Sequence, residues 1–207
     1  AAYLDLVEKG HRVCFKPTDS EGGLGFRIID NSRSPLQELF GHVTSSISFE
    51  DAYRILSTEP LFPELMVMEM LEGFEYSIDC LADSSGNLLA AVPRRKAGGR
   101  LRLMEHNVEL KEIAAKVAET YKIPYNYNIQ MKYNGSIPKL LEVNPRMSGG
   151  LHISCLSGIN FPYLAVKSAL GGEVQPVDFT EDVLASHVEK PLIMKSNGES
   201  AVPDIVI

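Results

Sequence analysis

LLEVNPRMSGG, Leu140 to Gly150, sets an acid, an amide and a guanidinium at alternate positions: Glu142, Asn144 and Arg146. In a strand, residues i, i+2 and i+4 share one face. Pro145 biases Asn144 toward extended backbone, so the stretch reads as a strand. Leu141, Val143 and Met147 then point the other way, toward a core. A hard cation takes oxygen ligands, commonly one or two carboxylates with substrate phosphates completing the set. Glu142 and Asn144 offer two neighbouring oxygens, and the Arg146 fork suits phosphate or carboxylate. A solvated edge strand has the same pattern, so the alternation alone leaves both readings open.

The preceding stretch narrows the choice. NYNIQM, 126–131, also alternates, with Asn126, Asn128 and Gln130 on one face and Tyr127, Ile129 and Met131 on the other. A Gly135-Ser136 turn joins it to PKLLEV, which brings Gln130 and Asn128 beside Glu142 and Asn144. Five polar side chains on one sheet face are costly to bury unless something polar binds there.

Two further stretches carry chemistry. In FKPTDSEGGLGF, Lys16 precedes a proline and a loop holding Gly22, Gly23 and Gly25. Glycines let backbone N–H groups close around anionic oxygens. The lysine comes before the glycines, so this is not a Walker loop, and no GxGxxG is present. In MVMEMLEGFEYSIDC, an apolar strand runs through Glu69, Met70 and Leu71 to Gly73 and Glu75, the pattern of a hinge. Met66, Met68 and Met70 suit a flat base as well as a core, and Glu75 suits a ribose diol. Arg94, Arg95 and Lys96 form a basic cluster, which with His106 makes candidate groups for an anionic substrate.

Elsewhere the pattern predicts an N-terminal helix ending at Gly10, strands over 11–17 and 26–30, and a short helix from Pro35. A helix over 48–58 is capped by Ser48. Strands follow at 65–71, 75–83 and 88–96, the last two joined by a turn at Ser84–Asn87. Helices are expected over 107–121 and 161–172, and a final strand over 185–195. Hairpins mixed with helices indicate an α+β fold and not a doubly wound sheet.

The 207 residues carry a net charge of −7, which argues against nucleic acid as the main partner. Three scattered cysteines, with no CxxC, point to a reducing compartment and no zinc site. No apolar run reaches the roughly 18 residues of a membrane helix, and the N-terminus is not a signal peptide. The expectation is a cytoplasmic protein without membrane or nucleic-acid partners.

In order, Lys16-Pro17 with EGGLG, the ExxxGxE of Glu69, Gly73 and Glu75, and the ExNxR of Glu142, Asn144 and Arg146 resemble the ATP-grasp superfamily. The NIQM strand is most similar to carbamoyl-phosphate synthase large-subunit relatives, in which a glutamine takes a metal position. KPTDSEGGLGFR and PRRK are also similar to ATP-grasp proteins of tellurite-resistance gene clusters.

The resemblance implies an ATP-grasp fold of two α+β lobes with the nucleotide site between them. The small lobe and hinge strand would cover 1–70, the metal-binding lobe 71–207. It implies ATP and Mg2+ or Mn2+ as cofactors. Lys16 would contact phosphates beneath the lid of Gly22, Gly23 and Gly25. Glu69, Met70 and Leu71 would hold adenine through carbonyl and amide, and Glu75 would hold ribose. Gln130, Glu142 and Asn144 would hold the metal, and Arg146, with Asn144, would act on the reacting phosphate. The implied reaction makes an acyl phosphate from a small carboxylate or carbamoyl-type acid, which an amine then displaces. Where relatives often have glutamate, this chain has Met68, so adenine recognition rests on backbone. The Rossmann-like N-terminal domain of the family is not in the sequence. The expected chain is thus an ATP-grasp piece whose partner is that domain, with a nucleotide-binding module lacking its own activity as the alternative. A homodimer is compatible with the resemblance.

Overall fold

The computed structural model describes residues 1–188, 193–194 and 200–201. The chain divides into two units, Ala1–Leu71 and Glu72–Ile207.

The first unit holds α1 (Ala2–Glu8), β1 (Val13–Pro17), β2 (Arg27–Ile29), α2 (Pro35–Phe40), β3 (Ser46–Ile47), α3 (Phe49–Thr58) and β4 (Leu65–Glu69). The strands form one sheet in the order β3-β2-β1-β4. β1 and β2 make the expected antiparallel hairpin around the glycine-rich loop. Ser48 caps α3, its hydroxyl accepting from the Asp51 N–H at 3.0 Å. The two-residue β3 is too short to leave a period in the sequence, and it pairs in parallel with β2.

The second unit is a six-stranded antiparallel sheet. Its elements are β5 (Glu75–Ala82), β6 (Leu88–Lys96), β7 (Arg102–Met104), α4 (Val108–Tyr121), β8 (Asn126–Asn134), β9 (Ile137–Asn144), α5 (Leu151–Ser154), α6 (Phe161–Ala169) and β10 (Val183–Ala185). The strand order is β10-β7-β6-β5-β8-β9. A further pair, β11 (Ile193–Met194) and β12 (Ser200–Ala201), follows. Of the strand expected over 185–195, residues 189–192 and 195 lie outside the described residues. The strand that pairs with β7 starts earlier, at Val183.

Helix α4 begins at Asn107, whose side chain accepts from the Leu110 N–H. It buries Leu110, Ala114, Val117 and Ala118, a stripe at helical spacing. That stripe packs on Tyr76, Ile78, Cys80, Tyr127, Ile129 and Met131, the residues of one sheet face. On the opposite face, Leu81, Ala90, Val92 and Met104 pack against Leu151, Ile153, Ile159, Phe161 and Phe179. The second face is apolar over only part of its area, and its remainder carries the candidate site.

Among the described residues, no helix is long and apolar enough to cross a membrane. Cys14 and Cys80 are buried and no disulfide is formed. Burial holds the Cys80 thiol well above its ordinary range, a structural and not a nucleophilic environment.

Ile129 is fully buried at the centre of the sheet. Ile129→Ala is expected to lower unfolding free energy by about 2–5 kcal/mol, read from the urea midpoint at unchanged m.

Candidate functional site

Cross-strand partners point to the same side of a sheet, so the register maps the polar face. Glu142 lies opposite Gln130, and Asn144 opposite Asn128, as the alternation predicts. Gln130 lies opposite Ser77, and Ser77 opposite Arg94. Asn128 lies opposite Asp79. Gln130, Asn128, Ser77, Asp79, Arg94, Glu142 and Asn144 therefore share one face.

One expectation is corrected. The register shifts between Gln130 and Met131, where Glu142 and Leu140 are the successive partners. Leu141 is the extra residue of a β-bulge, 43% exposed, and does not point into the core. Val143, opposite Ile129, does pack there. Met147 lies past the strand and is exposed, not core. A bulge adds a residue to one strand, so simple alternation fails across it while Glu142 and Asn144 stay on the polar face.

The five expected polar side chains are not equivalent. Asn126 is buried near α6 and donates to the Phe161 carbonyl. Asn128 is fully buried and donates to Asp79 Oδ1 at 2.9 Å. Gln130, Glu142 and Asn144 remain within reach of solvent. Asn144 Nδ2 donates to Glu142 Oε1 at 2.8 Å. Arg146 Nη2 donates to Asn144 Oδ1 at 3.2 Å, and Nη1 to the Met147 carbonyl at 3.1 Å. The acid, amide and guanidinium thus form one hydrogen-bonded row.

The donor set suits a hard cation: one carboxylate and two amide oxygens. It is too weakly charged to hold one tightly by itself, which fits an ion that takes its other ligands from phosphate and water. Among the described residues, no cluster of three or more His, Cys, Asp or Glu side chains offers a different metal site.

The basic cluster is split by strand pleating. Arg94 is buried in an ion pair with Asp79 and is not available to a substrate. Arg95 faces the opposite side, its guanidinium carbon 4.6 Å from the Phe74 ring centroid and its Nε 3.0 Å from Glu105. Tyr76 also donates to Glu105, and burial, with that bond, raises the Tyr76 hydroxyl above its usual range. Lys96 returns to the polar face and pairs with Glu75. His106, beyond β7, pairs with Glu181.

In the first unit, Gly22, Gly23 and Gly25 all take the left-handed backbone conformation. A Cβ at Gly25 would sit 2.8 Å from Pro17 Cδ, so the loop folds back on the proline only with glycine there. Lys16 pairs with Met66, and Cys14 with Met68, which puts Lys16 on the methionine face of β4. The Met70 N–H donates to the Arg12 carbonyl. β4, which ends at Glu69, is the last strand of its sheet. The Glu69 carbonyl also lies 3.6 Å from the Cys14 thiol. In the second unit, Gly73 donates to the Tyr133 carbonyl, and a Cβ there would sit 2.7 Å from that oxygen. Glycine at position 73 is required by this close backbone approach.

Asp79, Ser148 and Ser154 were not singled out from the sequence. Counting outward from the Ser84–Asn87 turn would have set Arg94 diagonal to Asp79, but no local pattern shows that the loop after β9 covers both.

The fold is that of the ATP-grasp superfamily of ligases. Biotin carboxylase in complex with β-γ-ATP from Campylobacter jejuni superposes with a TM-score of 0.60 at 19% identity, over 81% of this chain and 39% of that one. Rhizobium etli pyruvate carboxylase gives 0.55 at 18% identity, over 83% and 16%. The chain belongs to the family described as "ATP-grasp in the biosynthetic pathway with Ter operon", which matches residues 61–191. It is also 28% identical, over 193 residues, to the arginine-specific carbamoyl phosphate synthase large chain of Eremothecium gossypii, covering 84% of this chain. To the carbamoyl phosphate synthase large chain of Clostridium acetobutylicum it is 22% identical over 196 residues, or 88% of this chain. It spans only 16% and 17% of the length of those two relatives.

Asp79→Ala leaves the Arg94 charge buried without its counter-ion. It is expected to destabilise by about 3–5 kcal/mol, whereas Glu142→Gln, on the exposed row, shifts stability by less than about 0.5 kcal/mol. Parallel urea titrations of the two variants check the contrast.

Proposed function

We propose that the chain is the nucleotide-binding and phosphoryl-transfer part of an ATP-dependent ligase. The observation that carries this is the Glu142–Asn144–Arg146 row beside Gln130, inside the stretch that matches the ATP-grasp family. In this reading Lys16 and the Gly22, Gly23 and Gly25 loop bind the phosphates. The backbone of Glu69 and Leu71 reads the adenine edge, with Met70 between them. Glu75 holds ribose hydroxyls, exchanging its Lys96 contact for them. Gln130, Glu142 and Asn144 would hold Mg2+ or Mn2+, which when bound would supply positive charge against the phosphates. A substrate carboxylate oxygen attacks the γ-phosphorus, ADP leaves, and an acyl phosphate forms. Arg146 stabilises the negative charge on its phosphoryl group. An amine then attacks the acyl carbon, phosphate departs and the nitrogen loses a proton. Similarity to the two carbamoyl phosphate synthase large chains supports carbamoyl-type acids as candidate substrates.

Thermal unfolding with ATP, with and without Mg2+, tests the nucleotide site. At ATP a hundredfold above its Kd, stability should rise by about 2.7 kcal/mol. The rise should need Mg2+ and should be lost in Lys16→Ala and Glu142→Ala. A wild-type protein unmoved by saturating ATP and Mg2+ would remove the reading. ADP release that stays zero across pools of small acids and amines, despite binding, would reduce it to a nucleotide-binding module.

A further inference from the structure

The turn that carries Arg146 is fastened from beneath by a side chain on another strand. Arg94 is 5% exposed and Asp79 wholly buried. Arg94 Nη2 lies 3.2 Å from Asp79 Oδ2 and donates to Ser148 Oγ at 3.3 Å. Its Nε donates to Ser154 Oγ at 2.9 Å. Ser154 in turn donates to Asp79 Oδ2 at 2.6 Å. A Cβ on Gly150 would sit 2.5 Å from Arg94 Nη1 and 2.6 Å from Nη2, so the turn backbone rests on the guanidinium plane. The guanidinium thus touches the chain at 148, 150 and 154, directly after Arg146. The other Asp79 oxygen accepts from Asn128, the cross-strand neighbour of Asn144.

We infer that the Asp79–Arg94 pair is a positioning clamp. It sets the 145–150 turn against the sheet and thereby aims Arg146 along the Glu142–Asn144 row. A charge is used because one planar group with five donors can hold two serines and a carboxylate together. Burial keeps that group from competing for the substrate anion. Its consequence for turnover rests on the ligase reading above, while its consequence for Arg146 does not.

The test uses Ser148→Ala, which removes one clamp contact and leaves the ion pair intact, and Gly150→Ala, which pushes the turn off the guanidinium. The first readout is the Arg146 Nε–Hε resonance in a 15N correlation spectrum, assigned by its loss in Arg146→Lys. The second is basal ATP hydrolysis with Mg2+. Both variants should shift or broaden the Arg146 signal. Ser148→Ala should lower kcat about tenfold with KM for ATP within twofold, and Ser148→Thr should restore both. An Arg146 resonance identical to wild type in both variants overturns the clamp, as does a lowered KM-type affinity with unchanged kcat. If the wild-type chain neither binds nor hydrolyses ATP, the ligase reading fails and the resonance alone decides the positioning role.

Discussion

Two ionised side chains, Asp79 and Arg94, sit inside the second unit almost without contact with water. Removing both from water costs several kcal/mol per ion, which their attraction offsets only with further hydrogen bonds. Asn128, Ser148 and Ser154 provide those bonds from β8, from the turn after β9 and from α5. The pair therefore ties three further pieces of chain to β5 and β6 at once. An apolar replacement would have filled the space without dictating where the turn lies.

That constraint lies on the boundary of a divided sheet face. On one side of it, Leu81, Ala90, Val92 and Met104 are covered by Leu151, Ile153 and Phe161. On the other side, Gln130 on β8 and Glu142 and Asn144 on the edge strand β9 stay accessible. The opposite face is continuously apolar beneath α4, which keeps the sheet rigid. A row of oxygens on such a support keeps its spacing, as the proposed phosphoryl transfer would require. The bulge at Leu141 takes up the extra residue without turning Glu142 out of the row.

The first unit supplies a different kind of surface, made mainly of backbone. Its loop has three left-handed glycines, and β4, which ends at Glu69, is the last strand of its sheet. A peptide edge recognises a flat heterocycle by donor and acceptor order, so side-chain identity along β4 is left to packing. Met68, opposite Cys14 on this strand, therefore leaves the proposed adenine contact open.

Periodicity and turn chemistry were enough to define most strands and helices, because each rests on local backbone preference and on alternate burial. The β8–β9 pairing was legible for the same reason: a tight turn sets the register, and alternation then assigns Glu142, Asn144, Gln130 and Asn128 to one face. The glycine-rich loop after β1 and the ExxxGxE stretch stood out as motifs. Tertiary structure decided what each polar group does. Arg94 and Arg95, adjacent in sequence, point to opposite faces, one into a buried ion pair and the other over Phe74. Asn128 and Asn126 were absorbed into the interior, and Leu141 was displaced by a bulge. Sequence by itself determined which side chains share a strand face, since that follows from the pleat. Only the folded chain decided which of them remain open to a ligand, because desolvation depends on what packs above them, and the covering turn, 145–154, carries no periodic signal of where it lands.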